Sequence, residues 1–404
     1  MLFQEKMRAN SSNRKVQYFS WFFVIYIYMT MLPSNSVYVT IFPAFRNYIW
    51  LFILIYSGIN FSKYIFKSNI YSFIYICCFV ISNLLCYTFT NNLLGEGIIY
   101  LVPFTSILLF CSLPNYIQAS IYNKFVLFGA VYISLALCEY ILHLVGVNFY
   151  IASNIERGEG SQIVYNQGIL NIYPVFEFPP RFQALFREAG FLGVCDGIIL
   201  FNLHKYSRKV ALPWILGGLF SLSLFFYVFL FLAFIYHVFY LHTIKLSKNI
   251  SIVVLLILGF VASLSILQDM IFARMGTMFD KGGDNRVTVA FESEFTKMFQ
   301  SNIFLYGKGY VYFTKMDYVF GNGGVKAEIY KYGLIVVIVL LSGFFALLNR
   351  YDYSSREKLI IFFLYLLCFY SVDSKYTLHI YVLLLSLYNK SQLIGSQNKQ
   401  NVQY

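Results

Sequence analysis

Long apolar stretches separated by short polar connections dominate the chain. They run at 18–32, 46–62, 69–90, 95–113, 121–147, 188–204, 211–243, 250–268, 329–349, 359–373 and 376–389. A straight helix needs only ~20 residues to cross ~30 Å of hydrocarbon, so 211–243 is too long for one crossing. Ser221-Leu222-Ser223 offers the turn that divides it. Twelve crossings follow, interrupted by two long polar segments, 148–187 and 269–328. The pattern predicts an all-α, polytopic integral membrane protein, a single membrane domain over 1–404. Residues 1–16 are polar, and no small-x-small cleavage pattern follows Met31-Leu32-Pro33-Ser34-Asn35, which predicts an uncleaved first helix.

Composition agrees. Hydrophobic residues make up 59% of the chain and charged residues only 12%, against ~25% charged in ordinary globular proteins. That excludes a disordered chain, a disulfide-stapled secreted domain and several soluble domains. The net charge of +12 is spread between the apolar stretches, with no Lys/Arg run longer than a pair, so it orients the chain and does not bind nucleic acid. Lys63, Lys67, Lys124, Lys205, Arg208, Lys209, Lys245, Lys248, Arg350, Arg356 and Lys358 fall on one side. Both termini are then cytoplasmic and both long polar segments face outward, Arg46 and Lys375 being exceptions on short outer turns. Segment 269–328 carries seven basic and seven acidic residues, so it is neutral. The seven cysteines lie in apolar stretches and read as small hydrophobes, and the histidines form no zinc pattern.

Chemistry is therefore sought in the two polar segments. In the first, Pro179-Pro180-Arg181-Phe182-Gln183-Ala184-Leu185-Phe186-Arg187-Glu188-Ala189-Gly190 is expected to form a short interfacial helix. Phe182, Leu185, Phe186 and Ala189 would share its apolar face, with Arg181 and Glu188 ~10 Å apart on a neighbouring one. In the second, Asp284-Asn285 is expected to cap a helix starting at Arg286, with Val287, Phe291, Phe295, Met298 and Phe299 on one face. Gly307-Lys308-Gly309 and Gly321-Asn322-Gly323-Gly324 read as turns, because no strand precedes them and their spacing matches no phosphate-binding loop. Asp280, Asp284 and Glu292 lack the spacing of a calcium loop, so no metal is expected. Within apolar stretches, Glu139 and His143 are helical neighbours expected to satisfy each other. Asp196 follows the first polar segment by two turns and is expected to face the bundle.

Arg181–Gly193 leading into an apolar helix resembles the loop-to-helix signature of bacterial O-antigen polymerases of the Wzy type and the related O-antigen ligases. Arg286, the Gly307-Lys308-Gly309 run and Gly333 before the next apolar helix resemble the same family's second loop. Ala189 stands where the family often has proline. No histidine precedes Gly333 as in ligases, which favours the polymerase. The resemblance implies a GT-C-like, metal-independent glycosyltransferase without a cofactor. It would polymerise undecaprenyl-pyrophosphate-linked repeat units at the periplasmic face of the inner membrane. Its partners would be that lipid-linked oligosaccharide, membrane lipid and a chain-length regulator protein. It also implies the roles. Arg181 and Arg286 would clamp the pyrophosphate, whose leaving charge a bidentate guanidinium fork suits better than an ammonium. Arg187, Arg274 and Asp196 are secondary substrate-binding candidates. Glu188 is the nearest acid for deprotonating an acceptor hydroxyl, and equally it could orient Arg181 or cap the helix. A lipid-linked oligosaccharide flippase and an O-antigen ligase are the competing expectations.

Overall fold

The computed structural model describes residues 2–32, 36–38, 44–66, 70–90, 95–156, 164–174, 181–186, 189–240, 289–309, 324–371 and 377–387. Fourteen α-helices make up most of these. The first five are α1 (Leu2–Met31), α2 (Phe45–Phe66), α3 (Ile70–Thr90), α4 (Gly95–Ser112) and α5 (Asn115–Leu144). After three short strands, β1 (Ala152–Glu156), β2 (Val164–Gln167) and β3 (Ile172–Pro174), come α6 (Ala189–Leu200), α7 (Arg208–Phe220) and α8 (Leu224–Ile235). Next are α9 (Val289–Phe299), α10 (Ile303–Tyr306), α11 (Gly324–Tyr332), α12 (Leu334–Leu347), α13 (Ser355–Ser371) and α14 (Leu378–Leu385). The helix expected from Tyr18 already begins at Leu2.

Among the described residues α5 is long and apolar enough to cross a membrane, and Val325–Tyr332 with Leu334–Arg350, bent by 116°, passes the same test as a pair. That is fewer than the twelve expected crossings, and the expected span 250–268 lies outside the described residues. The break expected at Ser221-Leu222-Ser223 is present between α7 and α8, with Leu222 in the left-handed region at φ 49°.

The chain forms two compact units. One comprises Met1–Phe79, Leu94–Phe229 and Leu341–Tyr404, and the other Val80–Leu93 and Leu230–Leu340.

In the first unit α5 is the central element. Pro114 precedes it with φ −58°, a value already suited to helix entry. At its other end Gly146 takes φ 90° and donates to His143 O at 3.0 Å, while Val147 N donates to Leu142 O at 2.9 Å. This paired closure satisfies two carbonyls that a helix end leaves open, and it needs glycine at the left-handed position. Helices α1 and α7 pack on α5. Tyr28 stacks on Phe125 with ring centres 5.0 Å apart, and Trp214 Nε1 donates to Val126 O at 3.0 Å. Gly129 permits both approaches, because a Cβ there would collide with the Trp214 ring and the Tyr28 hydroxyl. On another side Tyr75 Oη donates to Tyr381 Oη at 2.7 Å, and Tyr365 Oη lies 3.0 Å from the same oxygen. All three phenols are buried, so each hydroxyl needs the others as partners.

The mostly helical chain is consistent with the all-α expectation, to which the three short strands are a local addition. They form an antiparallel sheet in the order β1-β2-β3, with Tyr165 opposite Pro174, Asn166 opposite Tyr173 and Gln167 opposite Ile172. β-Branched and aromatic residues (Val164, Tyr165, Ile172, Tyr173) suit a pleated, half-buried surface. The β2–β3 turn closes through Gly168 N to Asn171 O at 2.9 Å.

In the second unit, α9, α10 and α11 enclose a small core of Phe291, Met298, Ala327 and Tyr330, with Phe295, Phe304 and Ile329 against it. The expected apolar face of α9 is thus present at Phe291, Phe295 and Met298. Phe299 is a correction: it is 63% exposed and meets the Phe304 ring edge-on, with ring centres 4.6 Å apart. Position 299 follows 298 by ~100° around the helix, which carries it off the face that α11 covers. Asp284–Asn285, Arg286 and Val287 lie outside the described residues, and α9 is described from Val289.

Charge pairs hold this small unit together. Glu292 meets Lys326 at 2.5 Å, and Glu294 meets Lys308 at 2.7 Å and Lys297 at 3.0 Å. The Lys308 ammonium beside Glu294 holds that carboxyl below its ordinary range. Partial burial works against charge on Lys308, but Glu294 and the Tyr330 ring outweigh it and its affinity for a proton rises. The neutrality counted along 269–328 therefore includes local pairing, in which these glutamates are occupied by lysines.

Candidate functional site

Of the residues singled out by sequence, Arg181 and Asp196 are described; Arg187, Glu188, Arg274 and Arg286 lie outside the described residues. Asp280 and Asp284 also lie outside them, and no group of three metal-ligating side chains occurs among those described.

Arg181 begins a loop and not a helix, which corrects the expected interfacial helix. Residues 181–186 contain no helical turn, and helix starts at Ala189. The physical reason is that distant segments supply the hydrogen bonds a local helix would have made. Phe182 N donates to Phe220 O at the end of α7 (3.0 Å), Ile172 N of β3 donates to Ala184 O (3.0 Å), and Leu185 N donates to the Tyr132 hydroxyl of α5 (2.6 Å). Phe186 N donates back to Gln183 O at 3.0 Å and closes the turn. Ala184 takes φ 50°, which costs a residue with a Cβ roughly 1–2 kcal/mol and persists only where surroundings impose it. The four residues expected on one apolar helix face, Phe182, Leu185, Phe186 and Ala189, are all buried, as are Gln183 and Ala184 between them. A helix lying on a surface buries one stripe. This loop buries every side, so it is an inserted plug.

Arg181 itself is half-buried at the start of that plug, and its Nε is closed off from solvent. Next to it the Phe182 ring meets Tyr140 edge-on at 5.4 Å. Asp196 lies behind Phe182, completely buried in α6, and neither carboxylate oxygen has a hydrogen-bond partner among the described residues. It faces Gly217 of α7, where a Cβ would stand 3.0 Å from Asp196 Oδ2, 3.0 Å from Ile133 Cγ2 and 3.5 Å from Phe182 Cε1. The expectation that Asp196 turns inward is met. Glycine at 217 is what lets α7 approach the carboxyl.

A cavity of about 220 Å³ adjoins the plug, lined among others by Ile25, Tyr28, Met31, Tyr132, Leu185 and Phe186. Its wall is almost wholly apolar, and Leu185 and Phe186 are the residues of the plug that line it.

Glu139 and His143 do not satisfy each other as expected. Glu139 Oε2 accepts from Leu170 N at 2.6 Å, and His143 Nδ1 bonds Asn148 Oδ1 while its ring stacks on Tyr173 at 3.9 Å. The β2–β3 hairpin, absent from the expected fold, supplies Leu170 and Tyr173, and Asn148 lies just after α5. Tyr132 was missed altogether, since a tyrosine in an aromatic-rich helix carries no signal of its own. His379 was set aside as one of several scattered histidines. It is buried in α14, with its Nε2 unpartnered among the described residues and its ring 5.6 Å from Phe191 of α6. An ionisable group inside an apolar stretch was the signal that could have found it.

In the second unit the glycines of the motif meet. Gly307 has φ 82° and Gly333 φ 83°. A Cβ on Gly307 would stand 2.6 Å from Gly333 N and 2.7 Å from Lys331 O, and one on Gly333 would collide with the backbone of Leu305 and Tyr306. Lys308 N donates to Tyr330 O at 2.7 Å and Gly309 N to Lys331 O at 3.1 Å, so the run after α10 lies along the end of α11. Two motif pieces 24 residues apart in sequence are thus one backbone crossing.

No family model matches the chain, and neither a curated protein nor a solved structure does so.

Proposed function

We propose that the chain is a polytopic glycosyltransferase of the bacterial inner membrane. It would polymerise undecaprenyl-pyrophosphate-linked O-antigen repeat units at the periplasmic face, with both termini cytoplasmic. The observation that carries this is the Arg181 plug. A half-buried arginine in a loop pinned by two helices and a strand is a preorganised donor for a phosphate oxygen. The apolar cavity beside it is the kind of surface on which a polyprenyl chain packs. The meeting of Gly307 and Gly333 supports the resemblance in the second loop, because both motif positions take a backbone conformation that favours glycine.

In the proposed reaction an acceptor sugar hydroxyl attacks the anomeric carbon of a lipid-linked glycan. A glycosidic C–O bond forms, the anomeric carbon–phosphate oxygen bond breaks, and undecaprenyl pyrophosphate leaves with the electron pair. Arg181 and Arg286 stabilise the negative charge on the departing pyrophosphate, with Arg187 and Arg274 as further contacts. The hydroxyl proton passes to a base, for which Glu188 is the nearest acid in the motif. Asp196 sits behind the plug, buried and without a hydrogen-bond partner among the described residues. It remains a secondary candidate for contact with the substrate.

The donor already carries its activating pyrophosphate, so no nucleotide sugar is consumed. Membrane vesicles holding the full chain, given purified lipid-linked repeat unit and a chelator, should yield a ladder of lengthened products. A requirement for nucleotide sugar would overturn the reaction class, and abolition by the chelator would overturn its metal independence.

A further inference from the structure

Helix α5 reaches the first polar segment through one face. Tyr132, Ala136 and Glu139 stand at i, i+4 and i+7 along it, and all three bond to the chain between 168 and 185. Tyr132 Oη accepts from Leu185 N at 2.6 Å and donates to Leu170 O at 3.4 Å. Ala136 O accepts from Asn171 Nδ2 at 2.7 Å. Glu139 Oε2 accepts from Leu170 N at 2.6 Å, and Oε1 lies 3.5 Å from the Tyr173 hydroxyl. The turn is wrapped closely around this carboxylate. A Cβ on Gly168 would collide with Glu139 Oε1 and stand 3.2 Å from Phe149 O. From that turn the order passes directly to the arginine loop, because the next residues pair as Ile172 N to Ala184 O, three positions after Arg181.

We propose that Glu139 is a positioning residue for Arg181: its carboxylate gathers the Gly168–Asn171 turn onto α5 and thereby fixes the register of the arginine loop. This rests on the function proposed above for Arg181. A carboxylate suits the task because an ionised acceptor makes hydrogen bonds roughly twice as strong as a neutral one. No cation is within ion-pair distance of Glu139 among the described residues, so its affinity is spent on Leu170 N and the Tyr173 hydroxyl. At 9% exposure it is too enclosed to reach a substrate hydroxyl itself.

Three variants in the full chain, embedded in membrane vesicles, test this by elongation kinetics on the lipid-linked repeat unit. A displacement of ~1 Å at a charge-stabilising group can cost ~10²-fold in rate. Glu139→Ala should therefore lower kcat per inserted molecule at least ~10-fold while KM for the repeat unit changes less than ~2-fold. Gly168→Ala should reproduce that loss with Glu139 itself retained, because the new Cβ would push the carboxylate off the turn. Glu139→Gln keeps an acceptor oxygen and should recover most of the rate. Glu139→Gln as inactive as Glu139→Ala would overturn positioning in favour of a chemical role, and unchanged kcat in Glu139→Ala would remove the proposal. Trypsin cleavage after Arg181 separates the pin from the activity. The two Ala variants should be cut faster than the parent whether or not the chain elongates glycan, and equal cutting would overturn the pin.

Discussion

Replacing Arg181 by alanine should lower the rate of glycan elongation by ~10²–10³-fold, the usual cost of removing one preorganised donor from a site where charge develops. The protein should still insert at the parent level, because backbone bonds from Phe182 and Leu185 hold the loop. Arg181→Lys keeps the charge and loses the bidentate fork, so it should recover only part of the rate. Elongation assays on vesicles matched for protein content provide the comparison. A parent-like rate in Arg181→Ala would remove the residue from the mechanism. Direct phosphate contact predicts a fall in kcat larger than any rise in KM, since the departing pyrophosphate carries more charge in the transition state than in the bound donor.

Gly333→Ala is the second large effect, and it should act on the fold. The left-handed backbone alone costs a side-chain-bearing residue about 1–2 kcal/mol. Added to that, the new methyl would meet Tyr306 Cα at 2.6 Å, and backbone cannot rotate away as a side chain can. Relief means separating the run after α10 from α11, which breaks Lys308 N to Tyr330 O and exposes Lys308 and its partner Glu294. Trypsin should then cut at Lys308 faster than in the parent, and elongated glycan should be lost in the same membranes. Gly58→Ala is the control, since nothing lies within 4 Å of a Cβ at that position. Cleavage and product matching that control would show that the crossing tolerates a side chain.

Features set by local chemistry were readable along the chain. The division of 211–243 followed from the length of hydrocarbon a helix can cross, and Ser221-Leu222-Ser223 is where α7 ends and α8 begins. The turn reading of Gly307 and Gly309 followed from the missing strand and the wrong spacing for a phosphate-binding loop, and both have positive φ. The apolar face of α9 was visible as spacing at Phe291, Phe295 and Met298. What failed involved partners far away in sequence. Arg181–Ala189 has the periodicity of an interfacial helix, yet Phe220, Ile172 and Tyr132 take its backbone groups and fold it inward. Glu139 and His143 have the spacing of a helical pair, but the β2–β3 hairpin competes for both with hydrogen bonds and a stacked ring. Short-range pattern cannot report such competition, because the competing groups arrive only with the tertiary fold. Of the proposed site, the arginine and the buried acid were named from sequence. The α5 face that holds the loop was not, since tyrosine, alanine and glutamate at i, i+4 and i+7 look like any helix surface.

The central claim is polymerisation of lipid-linked repeat units, and deleting the gene in the bacterium that carries it addresses that most directly. Lipopolysaccharide from the deletion strain, separated on a gel, should show lipid core bearing at most one repeat, with the ladder of longer chains gone and restored by the wild-type gene. Core without any attached repeat would point to a flippase or a ligase, and an unchanged ladder would contradict the proposed function outright.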